Sequence, residues 1–287
     1  MSTVFKLNTS FKSTMGYQWN TQNPRAVLCL IHGICEHAGR YDRMAQMFTQ
    51  SGLAVIGMDL RGHGCSSGRR GHCAPRNEVL KDIDQLLRYA DCQYPGLPIV
   101  LYGHSLGGNI VLDYRVRGML SGSPAAYIIS GPWLGLVRKV PKHVRLILKA
   151  AHKVKPDFAI NANLRPAHLG NPKMIMGDGR KALFHNSITV QTALEAYKIG
   201  RALEKGSHKG NNGGVEKPML LMHGEFDSVC SIESTRAFAS LQGDSCTYIE
   251  WPGYFHELHN GNLQKDGTEV IQTMIDWIIQ TLPEVSD

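Results

Sequence analysis

The chain has 287 residues, 43% hydrophobic and 19% charged, which gives enough apolar material for a sizeable core and fits one α/β core carrying an insertion. No run of 18 or more apolar residues occurs and the first residues lack a charged-then-apolar leader pattern. The sequence therefore offers no membrane-spanning helix or secretory signal and reads as cytoplasmic. The net charge of +7 is local: Arg138, Lys139, Lys142, Arg145, Lys149, Lys153 and Lys155 carry the whole excess, so no nucleic-acid partner is expected.

The seven cysteines, at 29, 35, 65, 73, 92, 230 and 246, show no CxxC spacing and fit a reducing compartment better than a disulfide framework. Oligomeric state is not encoded in any of these features.

In chain order, Val4–Phe11 and Tyr17–Trp19 alternate weakly and suit antiparallel strands at a sheet edge. Residues 25–31 form a continuous apolar run ending at His32-Gly33, as a strand buried on both faces does. A helical pattern follows over Tyr41–Gln50, closed by Gly52. Leu53–Met58 is a second buried strand, and Glu78–Tyr94 an amphipathic helix. Ile99–Tyr102 is a third strand, running directly into Gly103-His-Ser-Leu-Gly and a helix through Val116. Ala125–Ser130 makes a fourth. This alternation predicts a mostly parallel sheet with helices on both faces.

The rhythm breaks over 132–186, a basic, proline-punctuated and mostly helical stretch. A helix over Ile188–Leu203 and a Gly/Asn-rich loop, Gly206–Gly214, follow. Strand and helix then alternate again through Met219–His223, Ile232–Leu241, Cys246–Trp251 and Val270–Thr281. The expectation is one core, 1–131 with 187–287, and a helical cap, 132–186, inserted over the strand ends where ligands bind in open α/β sheets.

G-x-S-x-G occurs twice. Gly103-His104-Ser105-Leu106-Gly107 stands between a buried strand and a helix, the context of a nucleophile elbow. Gly64-Cys65-Ser66-Ser67-Gly68 has no helix behind it and reads as a loop.

A serine nucleophile needs a base oriented by a third group, in the chain order Ser, Asp or Glu, His. After the strand Met219–His223, Asp227 is the expected carboxylate, with Glu225 as a rival nearer the strand end. After Cys246–Trp251, His256 is the expected base, with His259 as its rival. The two histidines lie three apart rather than the four of HExxH, so no metal is expected. No phosphate-binding glycine loop appears, so no cofactor is expected either. Two backbone N–H groups must face the oxyanion: that of Leu106, after the nucleophile, and that of Ile34, in the loop after the first buried strand.

Five blocks in order carry a family resemblance: His32-Gly-Ile-Cys-Glu-His-Ala-Gly-Arg-Tyr, Asp59-Leu-Arg-Gly-His-Gly, Gly103-His-Ser-Leu-Gly-Gly, His223-Gly-Glu-Phe-Asp and Tyr254-Phe-His-Glu-Leu-His. From about residue 25 to 282 the chain resembles the monoacylglycerol lipase and lysophospholipase branch of the α/β-hydrolases. The resemblance implies the triad Ser105, Asp227 and His256 and the oxyanion donors Ile34 and Leu106. It also implies that Glu36, Arg40 and His259 line the polar end of the pocket, beside a glycerol-like leaving group. The plainer alternative is that Glu36 and Arg40 brace the oxyanion loop.

Three positions depart from the branch. Cys35 stands where glycine is frequent, Ile34 is bulkier than the small residue of some relatives, and Gly261 replaces a frequent glutamate. The implied substrate is an acyl ester or monoacyl lipid; an aminopeptidase or amidase, or an inactive binding module, are the alternatives.

In the cap, Leu134, Val137, Val140, Val144, Ile147, Leu148 and Ala151 recur at helical spacing. Arg138, Lys142, Arg145, Lys149 and Lys153 fall on a separate face. This pattern suits either a surface helix packed on the core or a basic amphipathic lid that meets anionic membranes.

Overall fold

The computed structural model describes residues 2–7, 9, 14–164, 169–176 and 183–282. At the edge of the main sheet, β1 (Thr3–Leu7) pairs antiparallel with β2 (Thr14–Trp19), which pairs antiparallel with β4 (Leu53–Met58). The expected edge run Val4–Phe11 is described only in part, residues 8, 10 and 11 lying outside the described residues.

From there the sheet is parallel: β4 beside β3 (Ala26–Ile31), then β5 (Ile99–His104), β6 (Ala126–Ser130), β9 (Met219–Gly224) and β10 (Cys246–Trp251). Strands β3 to β6 and β9 are buried along their whole length, which is why they appear in sequence as unbroken apolar runs.

Helices α1 (Asp42–Gln50), α2 (Arg76–Gln93), α3 (Leu106–Arg117), α6 (Val190–Glu204), α7 (Ile232–Ala239) and α8 (Thr268–Thr281) cover the two faces of the sheet, giving two separate apolar cores. In one, Ile31, Leu101, Leu106 and Ile110 pack together; in the other, Leu30, Tyr102, Met222 and Ile275 do.

This order places the site. The strand β3 lies between β4 and β5, so the connections leaving β3 and β5 at their C-terminal ends diverge and open a crevice. Ile31 is in register with Gly103, so the loop after β3 and the turn after β5 start side by side.

Between β6 and β9 the chain leaves the sheet. It forms α4 (Lys142–Val154), a short strand β7 (Ala159–Asn161), α5 (Pro172–Met176) and β8 (Ser187–Thr189) before α6. Of the expected cap, residues 165–168 and 177–182 lie outside the described residues.

Two expectations are corrected here. The helix expected from Ile188 starts at Val190: Ser187–Thr189 pairs antiparallel with β7, and the Thr189 hydroxyl caps the helix by accepting from the N–H of Thr192. The apolar stripe of α4 is also less covered than its spacing suggests. Val144, Leu148 and Ala151 are half-buried, whereas Ile147 is 64% and Leu146 69% exposed. None of the helices among the described residues is long and apolar enough to cross a membrane.

Candidate active site

Ser105 occupies the turn between β5 and α3 with φ 55° and ψ −116°, a left-handed conformation that a non-glycine residue adopts only where its surroundings hold it. The surroundings do so: the Ser105 N–H donates to the Ser130 carbonyl at 3.0 Å, and the Ser105 carbonyl accepts from Asn109 and Trp133, each at 3.0 Å. A Cβ at Gly107 would lie 2.2 Å from the carbonyl oxygen of Ile31, and one at Gly103 would lie 2.5 Å from that of Gly107. Only glycine lets α3 start this close to the sheet. In the second G-x-S-x-G stretch, the Ser66 hydroxyl donates to the Asp59 carbonyl at 2.7 Å and accepts from the Met15 N–H at 2.9 Å. That serine ties a loop to β2.

The structure brings Ser105, His256 and Asp227 together from three strand ends. His256 Nε2 lies 2.8 Å from Ser105 Oγ, and His256 Nδ1 lies 2.7 Å from Asp227 Oδ2. A carboxylate only accepts, so Nδ1 carries the proton and Nε2 offers its lone pair to the serine hydroxyl. Burial disfavours a charge on His256, but Asp227, with Glu257 and Glu36 behind it, outweighs burial and holds the imidazole above its ordinary value. Burial likewise works against an ionised Asp227, yet His256 and His223 keep its carboxyl far below the usual range.

Asp227 is anchored on both oxygens. Oδ1 accepts from the N–H groups of Val229 and Cys230 at 2.8 and 2.9 Å, while Oδ2 also lies 3.1 Å from His223 Nε2. His223 is a residue the sequence reading did not assign. Its only local signal is a polar side chain closing the apolar run Met219–Met222, buried to 0% exposure. The rival carboxylate Glu225 is exposed and accepts from the Gly253 N–H at 3.0 Å, which braces a turn. Asp227, Cys230 and His256 also bring three potential metal ligands within 4.8 Å of one another, but the Asp227 carboxylate there already accepts from the Val229 and Cys230 N–H groups and from His256.

The loop after β3 is built by hydrogen bonds. His32 Nδ1 donates to the Gly33 carbonyl at 2.7 Å while its Nε2 accepts from the Leu60 N–H at 2.9 Å; Asp59 accepts from the Ala38 N–H at 2.8 Å. Glu36 Oε1 accepts from the Gly33 N–H at 2.6 Å and from the Tyr41 hydroxyl at 3.0 Å. The N–H groups of Ile34 and Leu106 have no protein acceptor among the described residues. Cys35, where glycine is frequent in the resembling branch, takes φ 69° and donates its thiol to the Ser187 carbonyl at 3.5 Å, so strain here is held by a contact to β8.

These groups open into a cavity of about 360 Å³. Ser105, His104, His256, Glu36, Arg40 and Glu257 line it, and Ile34, Leu164, Leu169, Ile175 and Phe184 supply apolar wall. His259 is not among the lining residues. It is 2% exposed and stacks behind the wall on Tyr41, ring centroids 4.6 Å apart, with its imidazole pushed down to about 3 by burial. Glu257, which does line the cavity, went unassigned in the sequence because its partner, Arg40, is 217 residues away.

Known proteins match this frame along most of the chain. The chain is 28% identical over 262 residues to a monoacylglycerol lipase of Mycolicibacterium smegmatis, covering 91% of this chain and 90% of that one. It is 26% identical over 267 residues to a phospholipase of Bacillus subtilis, covering 92% and 100%. Among solved structures, a soluble variant of monoglyceride lipase from Saccharomyces cerevisiae superposes with a TM-score of 0.84 at 21% identity, covering 98% of this chain and 96% of that one. The family model described as serine aminopeptidase, S33, matches residues 22–262. With that match over most of its length and a mostly parallel sheet flanked by helices, the chain belongs to the serine aminopeptidase S33 family of α/β-hydrolases.

Proposed function

We propose that the protein is a carboxylic ester hydrolase that cleaves monoacyl lipids, of monoacylglycerol or lysophospholipid type, through an acyl-enzyme on Ser105. The observation that carries this reading is the hydrogen-bonded series Asp227–His256–Ser105, whose histidine and serine line a mostly apolar cavity.

In the proposed mechanism the substrate carbonyl sits over Ser105 Oγ. His256 Nε2 takes the hydroxyl proton as Oγ attacks, and the oxyanion accepts from the N–H groups of Ile34 and Leu106. The tetrahedral intermediate collapses, its alcohol leaves with the proton from His256, and the acyl group stays on Ser105. Water, deprotonated by the same nitrogen, then releases the fatty acid and restores the serine. Asp227 keeps the imidazole in the required tautomer and stabilises its charged form.

Esters are favoured over peptide N-termini by the state of the acidic groups. An aminopeptidase needs a carboxylate free to hold a substrate ammonium. Glu36 and Glu257 reach the cavity, but both are engaged by Arg40, and Glu36 also by Gly33 and Tyr41. The apolar walls suit an acyl chain. The monoacylglycerol lipase and phospholipase relatives support the same substrate class. Glu36 and Arg40 would meet the polar head group; His259 would act only from behind them.

Residues 132–186 are proposed to serve as the cap on a core of 1–131 and 187–287. On α4, exposed Leu146, Ile147 and Val154 lie among exposed Lys142, Lys149 and Lys153, which supports peripheral contact with anionic membranes.

A hydrolysis panel tests the substrate class: p-nitrophenyl esters, monoacylglycerols, lysophospholipids and aminoacyl anilides. Faster cleavage of the monoacyl lipids is expected. Preference for the anilides would replace the ester reading with the aminopeptidase one.

A further inference from the structure

Arg40 is enclosed by two carboxylates from opposite ends of the chain. Its Nη1 donates to Glu36 Oε2 at 2.7 Å and to Glu257 Oε1 at 2.9 Å, and its Nη2 donates to Glu257 Oε2 at 2.9 Å. The side chains of Glu36, Arg40 and Glu257 are 5%, 3% and 4% exposed. The Phe184 ring lies against the guanidinium, its centroid 4.8 Å from Cζ.

Each carboxylate belongs to a loop that carries chemistry. Glu36 holds the Gly33 N–H and so sets the turn that presents Ile34. Glu257 follows His256 directly. It is gripped again by Asn260 Nδ2 at 2.6 Å, and its own N–H donates to the Leu169 carbonyl at 2.6 Å. Desolvating three charges is costly, and an apolar cluster of the same size would hold two loops together about as well. A bidentate guanidinium adds a fixed distance and angle between the loops, which an apolar contact does not.

We propose that Glu257 is a positioning residue. Through Arg40 and Glu36 it locks the His256 loop to the oxyanion loop, and its charge supports the imidazolium that forms as His256 takes the Ser105 proton. This rests on the triad reading above. The titratable groups around His256 are Asp227 and Cys230 from the segment after β9, His104 from the end of β5, Glu36 from the oxyanion loop, and Glu257 and His259 on its own loop. Two of the three acids are therefore joined through Arg40, and neither is part of the triad.

The test compares purified full-length wild type with Glu257→Gln, Glu257→Asp, Arg40→Lys and the Glu257→Gln/Arg40→Lys double variant. The readouts are kcat, KM and pH profile on a p-nitrophenyl ester, with thermal unfolding alongside. A misplacement of about 1 Å costs on the order of 100-fold in rate, so Glu257→Gln is expected to lower kcat by roughly 10- to 100-fold with KM held within about twofold.

Its acid limb should move to lower pH, because a negative charge beside His256 is gone. Glu257→Asp keeps that charge and should keep the wild-type limb. The double variant should be no worse than the poorer single one, since both break one bridge. A folded Glu257→Gln with wild-type kcat, a change confined to KM, or an unmoved acid limb would each overturn the proposal. If Glu257→Gln does not fold, Arg40→Lys and Glu257→Asp decide on the same kcat-against-KM criterion. Wild type that neither hydrolyses esters nor takes a serine-directed probe would overturn the hydrolase reading and this one together; active wild type with unaffected variants overturns this one alone.

Discussion

His256 Nε2 and Ser105 Oγ stand 2.8 Å apart although 151 residues separate them in the chain. Both are nearly buried, at 3% and 5% exposure, and the nitrogen faces the oxygen with its free lone pair because Asp227 holds the opposite edge of the ring. The ends of three strands thus bring a serine, a histidine and an aspartate to one crevice.

Asp227→Asn should therefore lower turnover by about four decades while the protein stays folded, because the imidazole loses the acceptor that fixes its tautomer. Glu225→Gln should be nearly silent, since Glu225 is exposed and braces a turn. Steady-state rates of the two variants on one soluble ester check this; a large loss in Glu225→Gln with an active Asp227→Asn would exchange their roles.

The pH profile follows from the direction of the His256 shift. Its folded value is raised, so the imidazole charges, and activity falls, at a pH above the ordinary histidine value of about 6.5. His256→Ala should lose about six decades. His259→Ala should keep catalysis and change head-group preference at most, because His259 packs behind the cavity on Tyr41. Loss of catalysis in His259→Ala with a normally folded chain would contradict that placement.

The parallel core was legible because its signals are local, and so were the strand-end positions of the residues proposed as a triad. Strands buried on both faces must be apolar at every position, and the elbow needs its glycines within two residues of Ser105. What escaped was long-range. The β7–β8 ladder pairs Ala159 with Thr189, and the Arg40–Glu257 pair spans 217 residues. Neither leaves a periodicity or a spacing. His259 matched its motif but was placed on the wrong side of the wall, because sequence order does not show which way a short turn points its ring.

Membrane contact should depend on exposed charge on α4. Arg145 is a poor probe, since its guanidinium engages Tyr197, but Lys142, Lys149 and Lys153 are exposed. Each contributes about 1 kcal/mol at an anionic surface. Binding should weaken as the Debye length falls from about 10 Å at 0.1 M salt to about 3 Å at 1 M. Liposome co-sedimentation of wild type and Lys142→Glu, Lys149→Glu, Lys153→Glu measures this. Equal binding to neutral and anionic vesicles, unaltered by the substitutions, would leave α4 as a plain surface helix.

Asp113 on α3 makes a separate prediction about stability. Its buried carboxylate meets Arg76, Arg117 and His208, at distances of 2.5 to 3.1 Å. Burial opposes its ionisation, but these partners hold it far below the usual range. Removing one member of a buried network costs about 3–5 kcal/mol, so Asp113→Asn should unfold at much lower denaturant. A depressed carboxyl stabilises the fold above its unfolded value of about 3.9, and that contribution is lost as pH falls toward the folded one. The gap between wild type and variant should accordingly narrow below about pH 4. A gap that widens in acid would refute the assignment.

The most direct test of the central claim is intact-mass and peptide analysis after reaction with a fluorophosphonate. Wild type should gain a single adduct mapped to Ser105. Ser105→Ala should gain none and lose about six decades of turnover on monoacyl esters, while Ser66→Ala labels normally. An adduct that persists in Ser105→Ala and disappears in Ser66→Ala would contradict the account at its root.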